Sequence, residues 1–244
     1  MTKSCWMHRY SSAFSLLLFL WVQSGLAAEV SLPSFEAIYE LYSSGTHVAD
    51  TRLSLKRDNQ QHWWWRTSVR PRGIASIFTR KKPYADTLFS QDSDGFRIHQ
   101  IKIGNHRSEA PDELVNFDWE SGVIKVLRKS KQTRAELPGE TYDYQSIHLV
   151  AAKMIQENIQ ERTVFFYRKG KVRQSTLAAR GPGSMTVKGE DKPALIFDQT
   201  IQGSRSTIRY YYDEKNPVLP LRIEKSKSGE RQSTMILQRI KWTP

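Results

Sequence analysis

Apolar and polar residues alternate along most of this chain of 244 residues. In residues 48–56, for example, Ala49, Thr51, Leu53 and Leu55 fall on one side of an extended segment, and polar or charged residues separate them. Only one side of such a strand can face a core, because successive side chains point to opposite faces of a sheet. Turn residues interrupt the alternation every eight to twelve positions, which is typical of antiparallel strands joined by hairpins.

One segment departs from this pattern and has helical spacing. Ile147, Val150 and Met154 recur three or four positions apart, and Asp143 is suited to cap the first turn. We therefore predict one amphipathic helix over about residues 143–160. The complete prediction is a mainly β fold: a curved antiparallel sheet or half-open barrel of roughly a dozen strands, with this helix packed on it.

The N-terminus has the three parts of a secretory signal peptide. Lys3 and Arg9 give a basic start, residues 13–22 form an apolar core, and Ala27 and Ala28 supply small residues at the end. The apolar core is much shorter than the roughly 20 residues of a membrane-spanning helix. A cleaved signal peptide is therefore favoured over an uncleaved N-terminal anchor.

Cleavage near Ala28 would remove residues 1–28 and release residues 29–244 into the periplasm as a single β-rich domain. The chain has one cysteine, Cys5, which would be lost with the signal peptide. The mature protein is therefore expected to lack disulfides and thiolate chemistry.

The chain is strongly basic. It carries 37 Lys and Arg residues against 25 Asp and Glu residues, a net charge of +12, and loss of Lys3 and Arg9 leaves a mature protein near +10. An excess of this size attracts anions. In a bacterial envelope the expected partner is an anionic component (lipid, lipopolysaccharide or acidic glycan) or an acidic protein, and not nucleic acid. The alternative is that the basic residues only keep the protein in solution.

Catalytic patterns are sparse. The histidines do not show the His-Glu-x-x-His spacing of zinc hydrolases, and no Gly-x-Ser-x-Gly nucleophile elbow occurs. Asp118 and Glu120 would share one face of a strand, but the sequence does not place such a pair in a cleft. A binding function is therefore favoured over an enzymatic one, and we expect no catalytic residues, no metal site and no cofactor.

Aromatic and basic residues are concentrated in residues 63–83. If the three consecutive tryptophans lie in a strand, Trp63 and Trp65 share one face and Trp64 takes the other. Because a buried indole N–H needs a hydrogen-bond partner, at least one of these rings is expected to be partly exposed or to line a ligand site. The alternative is a sheet that is packed on both faces.

The second half of this segment places apolar residues between cations, as in a loop that touches an anionic membrane surface. A strand with charged ends is the alternative. The predicted ligand contacts are Trp63, Trp65 and Phe78 for apolar groups, and Arg70, Arg72, Arg80 and Lys81 for anions or the membrane. Two further basic runs, 125–131 and 168–173, are interpreted as solvated hairpin tips.

Several motifs occur in an order similar to that of one known family. They are Tyr39-Glu40-Leu41-Tyr42, Asn116-Phe117-Asp118-Trp119 followed by a short hairpin, Glu136-Leu137-Pro138-Gly139, Tyr142-Asp143-Tyr144-Gln145-Ser146 and Tyr210-Tyr211-Tyr212. On these motifs the chain resembles the exported domain-of-unknown-function 3108 family. The resemblance implies a periplasmic protein with a curved antiparallel sheet and little helix. It implies no settled activity and no catalytic residues.

The implied shape is similar to that of periplasmic carriers in which a half-open barrel holds acyl chains, although fold alone does not define function. The first functional hypothesis is therefore a non-enzymatic, carrier-like binding protein of the envelope, whose ligand is a lipid or lipid-linked glycan. A protein-interaction or scaffold role in envelope assembly is the second. A cell-wall or glycan hydrolase is the third.

Overall fold

Fifteen β-strands form one sheet in the part of the chain that the structure describes. The structure is a computed structural model, and it describes residues 30, 32–73, 76, 82–92, 95–106, 108–187 and 189–243. Helix α1 (Ile147–Gln156) lies between the ninth and tenth strands. The strands are β1 (Ser34–Ser43), β2 (Thr46–Arg57), β3 (Trp63–Pro71), β4 (Pro83–Asp92), β5 (Gly95–Asn105), β6 (Glu113–Asp118), β7 (Val123–Arg128), β8 (Lys131–Glu136), β9 (Thr141–Tyr142), β10 (Glu161–Arg168), β11 (Lys171–Val187), β12 (Glu190–Ile201), β13 (Ser206–Asp213), β14 (Asn216–Lys227) and β15 (Glu230–Thr243).

The sheet consists of two meanders, β1–β8 and β9–β15, which are joined side by side because β1 pairs with β15. Its order is β8-β7-β6-β5-β4-β3-β2-β1-β15-β14-β13-β12-β11-β10-β9, and the pairs are antiparallel except β9 with β10. The sheet curls until β8 approaches β11, although the edge strands β8 and β9 do not pair with each other within the described residues. The predicted mainly β fold with a curved antiparallel sheet is confirmed, with more strands than were expected.

The period of two in the sequence corresponds to the two faces of the sheet. Ala49, Thr51, Leu53 and Leu55 of β2 are all buried on the concave face. Register shifts interrupt several pairs, for example between Leu88 and Phe89 in β4. Such bulges bend a strand and increase its twist, which helps a long sheet to curl around its own core.

Helix α1 is shorter than predicted, because side chains and backbone end it early on both sides. Before the helix, Asp143 caps a turn, as predicted: its Oδ1 accepts the backbone N–H groups of Gln145 at 3.1 Å and Ser146 at 2.8 Å, and α1 begins after this turn. After it, Asn158 has φ of 53°, and the Ile159 N–H donates to the Met154 carbonyl at 2.8 Å. A left-handed Asn with this bond pattern terminates a helix.

Helix α1 is also more completely buried than an amphipathic helix on a protein surface. The buried residues are Ile147, His148, Leu149, Val150, Ala151, Ala152 and Met154. Because α1 lies inside the curl of the sheet and contacts β14, most of its circumference faces protein. The solvent-facing side of α1 is therefore narrower than the spacing of its apolar residues predicted.

The hairpin turns of a meander alternate between its two ends. The turns after β1, β3, β5, β7, β10, β12 and β14 lie at one end, which we call the basic end. Cations are concentrated there, at or beside the turns: Arg70, Arg72, Lys82, Arg128, Lys129, Lys131, Arg168, Lys169, Lys171, Arg173, Arg205, Lys227 and Arg231. The start of α1 points towards the same end, because β9 runs parallel to β10.

The predicted signal peptide, residues 1–28, lies outside the described residues. Among the residues that are described, no helix has both the length and the apolar character that a membrane crossing requires.

Candidate functional site

An apolar cavity of about 280 Å³, here called the inner cavity, lies on the concave side of the sheet beside the start of α1. Both halves of the sheet contribute to its walls, so the cavity exists only because the sheet curls. Its lining residues are Leu41, Leu53, Trp65, Thr67, Ala85, Tyr144, Gln145, His148, Ile208, Tyr210, Ile223, Lys225, Ser233 and Met235.

Trp65 forms one wall of the inner cavity. Its side chain is buried, and its ring centroid lies 5.6 Å from that of His148 and 5.7 Å from that of Phe35. Its indole Nε1 has no hydrogen-bond partner among the described residues. Leaving a buried donor unpaired costs about 1–3 kcal/mol. An unpaired donor beside a cavity is a feature of sites where a ligand or water completes the bonding.

His148 faces the same group of aromatic rings. Burial lowers the pKa of His148 to about 3, so the imidazole is neutral at neutral pH. Its Nδ1 shares a hydrogen bond of 2.8 Å with the Tyr212 hydroxyl, and the Tyr210 ring packs edge-on at 5.2 Å. His148 is therefore a satisfied core residue that contributes its ring face to the cavity.

A larger recess of about 620 Å³, here called the outer cleft, adjoins the inner cavity. The two share Ala85, Tyr144 and Gln145, so they meet at the segment before α1. The rest of the outer cleft changes from apolar to charged side chains towards the basic end. Its other lining residues are Ile101, Ile103, Asp112, Glu113, Arg128, Lys129, Asp143, Tyr167, Arg168 and Lys169.

Buried polar contacts hold the segment before α1 against β3 and β4. Gln145 Nε2 donates to Thr67 Oγ1 at 2.7 Å and to the Ala85 carbonyl at 3.0 Å. The Thr87 hydroxyl oxygen lies 2.6 Å from both Gln145 Oε1 and Asp143 Oδ2. The single hydroxyl hydrogen of Thr87 can be donated to only one of these two oxygens, but together the contacts fix the segment before α1 at the place where the cavity and the cleft meet.

Glu113 is a buried carboxylate of the outer cleft. The Tyr167 hydroxyl donates to Glu113 Oε1 at 2.6 Å, and Arg128 Nε donates to Glu113 Oε2 at 2.8 Å. Burial, together with the bond to Glu113, raises the pKa of Tyr167. The charge of Arg128 is therefore balanced. Lys129 and Lys169 form no ion pair with any described residue.

Two lysines of the outer cleft occupy unusual backbone positions. Lys129 has φ of 45° and precedes Ser130 at 65°, while Lys169 has φ of 50° and precedes Gly170 at 77°. Both pairs form tight turns of the type in which two central residues are left-handed, which favours Asn and Gly. The left-handed region costs another residue about 1 kcal/mol. In both turns beside the outer cleft a lysine therefore occupies a conformation that is disfavoured for its type.

The structure separates the two tryptophans that were predicted to contact a ligand. Both are buried on the concave face, and Trp64 takes the other face, as the alternation predicted. Only Trp65 lines the inner cavity, whereas Trp63 lies under the guanidinium of Arg57 at 5.5 Å from its ring centroid. Trp63 is therefore placed as a core residue.

The predicted anion contacts are only partly described. Arg70 and Arg72 are exposed at the basic end, but Arg72 Nε donates to Asp50 Oδ2 at 2.6 Å, so its charge is balanced. Phe78, Arg80 and Lys81 lie outside the described residues.

Sequence reasoning missed the cations that line the outer cleft. The runs 125–131 and 168–173 do contain hairpin tips, as interpreted, but the two tips meet at one recess. Their signal in the sequence was a lysine at the first central position of each turn. That signal did not show that the turns are neighbours, since the curl of the sheet brings them together.

The polar groups of the site are engaged with one another. Within the described ranges, no three His, Cys, Asp or Glu side chains are close enough to hold a metal ion. Glu113 and Asp143, two carboxylates of the outer cleft, are both engaged in the hydrogen bonds given above. The arrangement suits a molecule with an apolar part in the inner cavity and a polar part at the cleft.

Comparison with solved structures shows a β-barrel-like fold. A β-barrel-like protein of the DUF1849 family from Brucella abortus has a TM-score of 0.57 at 12% identity, over 88% of this chain and 100% of that one. MucB has a TM-score of 0.38 at 11% identity over 90% of this chain, which spans 56% of the MucB chain.

An exported protein with a YmcC-like fold from Bacteroides fragilis has a TM-score of 0.39 at 12% identity, over 88% of this chain and 100% of that one. MucB and the protein with the YmcC-like fold both have TM-scores below 0.5, so neither comparison supports a further conclusion. No curated protein matches the sequence.

The sequence does match a family model, that of the "Protein of unknown function (DUF3108)", over residues 38–236. This range includes every residue that lines the inner cavity and the outer cleft. It confirms the resemblance drawn from the sequence motifs. The chain belongs to the DUF3108 family.

Proposed function

We propose that this protein is a non-enzymatic periplasmic binding protein that holds an amphipathic ligand, a lipid or lipid-linked glycan, on the concave face of its sheet. The observation that carries the proposal is the junction at Ala85, Tyr144 and Gln145, where an apolar cavity meets a cleft with a cationic edge. An acyl chain in the inner cavity would leave water, which stabilises binding by about 25 cal/mol per Å². The polar end of the ligand would then lie beside Arg168 and Lys169.

The periplasmic location rests on the N-terminal sequence. A basic start, a short apolar core and the small residues Ala27 and Ala28 support export with cleavage near Ala28. In that compartment the ligands available to a basic protein are the lipids and glycans of the envelope.

Uptake of a dansyl-labelled undecanoic acid by the delipidated mature chain tests this function. We expect the dansyl emission to rise and shift to the blue on binding. Ala85→Phe places a ring at the junction and should weaken uptake by about tenfold, since the ring takes the space of the ligand. Leu88→Phe adds a ring to the opposite face of the same strand and should leave uptake unchanged. No uptake by the unaltered chain, or equal losses in both variants, would contradict the proposal.

A scaffold role is the second candidate, and the concentration of cations at the basic end favours it. An acidic protein partner held by these charges should co-purify at low salt and be lost as salt rises, because salt screens exposed charges. Uptake of the acyl probe into an apolar cavity should persist at the same salt concentration, because apolar contacts are not screened by salt. Salt-sensitive co-purification without probe uptake would favour the scaffold role.

A further inference from the structure

A third recess, of about 540 Å³, lies at the basic end beside the outer cleft. We call it the basic cleft. The tips of the β10–β11, β12–β13 and β14–β15 hairpins form its walls, and the apolar side chains of Phe166 and Ile201 lie at its base. None of its described lining residues is acidic. Its cations are Arg168, Lys169, Lys171, Arg173, Arg205 and Lys227.

These cations are not neutralised by the protein. None of the six forms an ion pair with a residue in the described ranges. Arg173 Nη1 donates to the Gln202 carbonyl at 3.1 Å, and the Arg168 guanidinium lies 5.4 Å from the centroid of the Tyr144 ring. Each guanidinium has five N–H donors, so both arginines retain donors for a ligand.

Backbone contacts hold the hairpin tips together in spite of their like charge. The Ser228 N–H donates to the Arg205 carbonyl at 3.1 Å, and the Gln202 N–H donates to the Gln174 carbonyl at 2.9 Å. Gly203, at φ of 71°, keeps the β12–β13 turn close to Arg173, since a Cβ there would lie 3.1 Å from Arg173 Nη1. A fixed cluster of unpaired cations destabilises the folded chain, and a bound anion would offset this.

We propose that the basic cleft binds a phosphate-bearing group, such as a phosphate monoester or a diphosphate. A phosphate monoester carries nearly two negative charges and three strong acceptor oxygens, which suits a cluster of several cations better than a single carboxylate does. The arginines can bind two phosphate oxygens at once, and the lysines add point charges.

The position of the basic cleft relates it to the amphipathic ligand. Arg168 and Lys169 line both this cleft and the outer cleft, which in turn meets the inner cavity. A phosphorylated amphiphile would therefore place its phosphate in the basic cleft and its chain in the inner cavity. The inference rests on the proposed function for the apolar part of the ligand, whereas the phosphate site is tested separately.

Calorimetric titration of the mature chain with inorganic pyrophosphate tests the phosphate site. The double variant Lys171→Gln with Arg205→Gln should bind pyrophosphate at least about tenfold more weakly, since two charge-assisted contacts are lost. Lys192→Gln with Lys215→Gln removes the same charge from exposed positions at the opposite end and should bind like the unaltered chain. No pyrophosphate binding at low salt, or equal losses in the two double variants, would overturn the proposal.

Two further measurements identify the source of the phosphate and test phosphate against another anion. They are sedimentation with lipid vesicles and titration with oligogalacturonate, an acidic glycan that has carboxylates and no phosphate. Sedimentation with phosphatidylcholine vesicles, with and without phosphatidylglycerol, tests a lipid headgroup. Vesicle binding that Lys171→Gln with Arg205→Gln abolishes supports a headgroup, and pyrophosphate binding without vesicle binding supports a soluble phosphate compound. Tighter binding of oligogalacturonate than of pyrophosphate would overturn the phosphate assignment.

The acyl probe separates this inference from the proposed function. The Lys171→Gln, Arg205→Gln variant should take up the probe normally, because neither residue lines the inner cavity. Pyrophosphate binding without probe uptake would contradict only the proposed function. Probe uptake without pyrophosphate binding would contradict only the phosphate site.

Discussion

The Nδ1 atom of His148 lies 2.8 Å from the hydroxyl oxygen of Tyr212, inside the curl of the sheet. Burial lowers the pKa of this histidine to about 3 in the folded chain, whereas an exposed histidine in the unfolded chain has a pKa of about 6.5. Between these values the unfolded state binds more protons. The free energy of unfolding should therefore fall with decreasing pH through this window, by up to about 1.4 kcal/mol per unit.

Urea unfolding at pH 7 and pH 5 measures this effect, and His148→Phe is the test variant. The phenyl ring keeps the packing against Trp65 and Tyr210 but does not titrate. We expect the variant to be less stable at pH 7, because the Tyr212 hydroxyl loses its partner, and to lose less stability on going to pH 5. If the free energy of unfolding fell by the same amount between pH 7 and pH 5 in the variant and in the unaltered chain, His148 would not contribute to the pH dependence.

Trp63 and Trp65 provide a matched pair for ligand binding. Trp65→Phe removes an indole from the wall of the inner cavity, and Trp63→Phe removes one from the core beside it. Trp63→Phe should reduce stability by about 1–3 kcal/mol, since it leaves a void, and Trp65→Phe should cost less, because it also removes a buried indole N–H that has no partner. Only Trp65→Phe should change the affinity and emission of the acyl probe. Equal effects of the two substitutions on the probe would contradict the assignment of Trp65.

Glu113 stabilises the edge of the outer cleft through Arg128 and Tyr167. Glu113→Leu leaves the buried Tyr167 hydroxyl without its acceptor, whereas the half-exposed Arg128 guanidinium can be solvated, and should lower the free energy of unfolding by about 1–3 kcal/mol. Glu113→Gln should cost less, since its amide oxygen still accepts from Tyr167. Denaturant unfolding gives both values, and Glu136→Leu, at an exposed position of β8, is the control. If Glu113→Leu lowered the free energy of unfolding no more than the control does, Glu113 would not stabilise the edge of the cleft.

Lys129 and Lys169 should show a conflict between stability and binding. Lys129→Asn and Lys169→Asn each place a residue that tolerates the left-handed region in a tight turn, and each should stabilise the chain by about 0.5–1 kcal/mol. Lys169→Asn should also weaken pyrophosphate binding, because Lys169 lines the basic cleft. Lys129 lines only the outer cleft, so Lys129→Asn should affect pyrophosphate much less. Thermal unfolding and calorimetry measure the two effects, and stronger binding by Lys169→Asn would contradict the proposal.

The helix shows where local patterns succeed and where they stop. The spacing of Ile147, Val150 and Met154 predicted a helix at the correct place, because these positions repeat on one side of it. Its ends lie inside the predicted range, because the turn that Asp143 caps precedes the helix and Asn158 adopts a left-handed conformation after it. Both effects depend on backbone geometry that the spacing of apolar residues does not encode.

The sequence by itself determined most of the strands and their faces, since alternation is a local property of an extended chain. It therefore predicted a curved antiparallel sheet and placed Trp63 and Trp65 on one side. Only the tertiary structure decided that Trp65 lines a cavity while Trp63 does not, and that the turns at Lys129 and Lys169 meet at one cleft. These relationships depend on the curvature of the sheet, which arises from bulges and twist in all fifteen strands together. The pattern of residues within one strand does not specify that curvature.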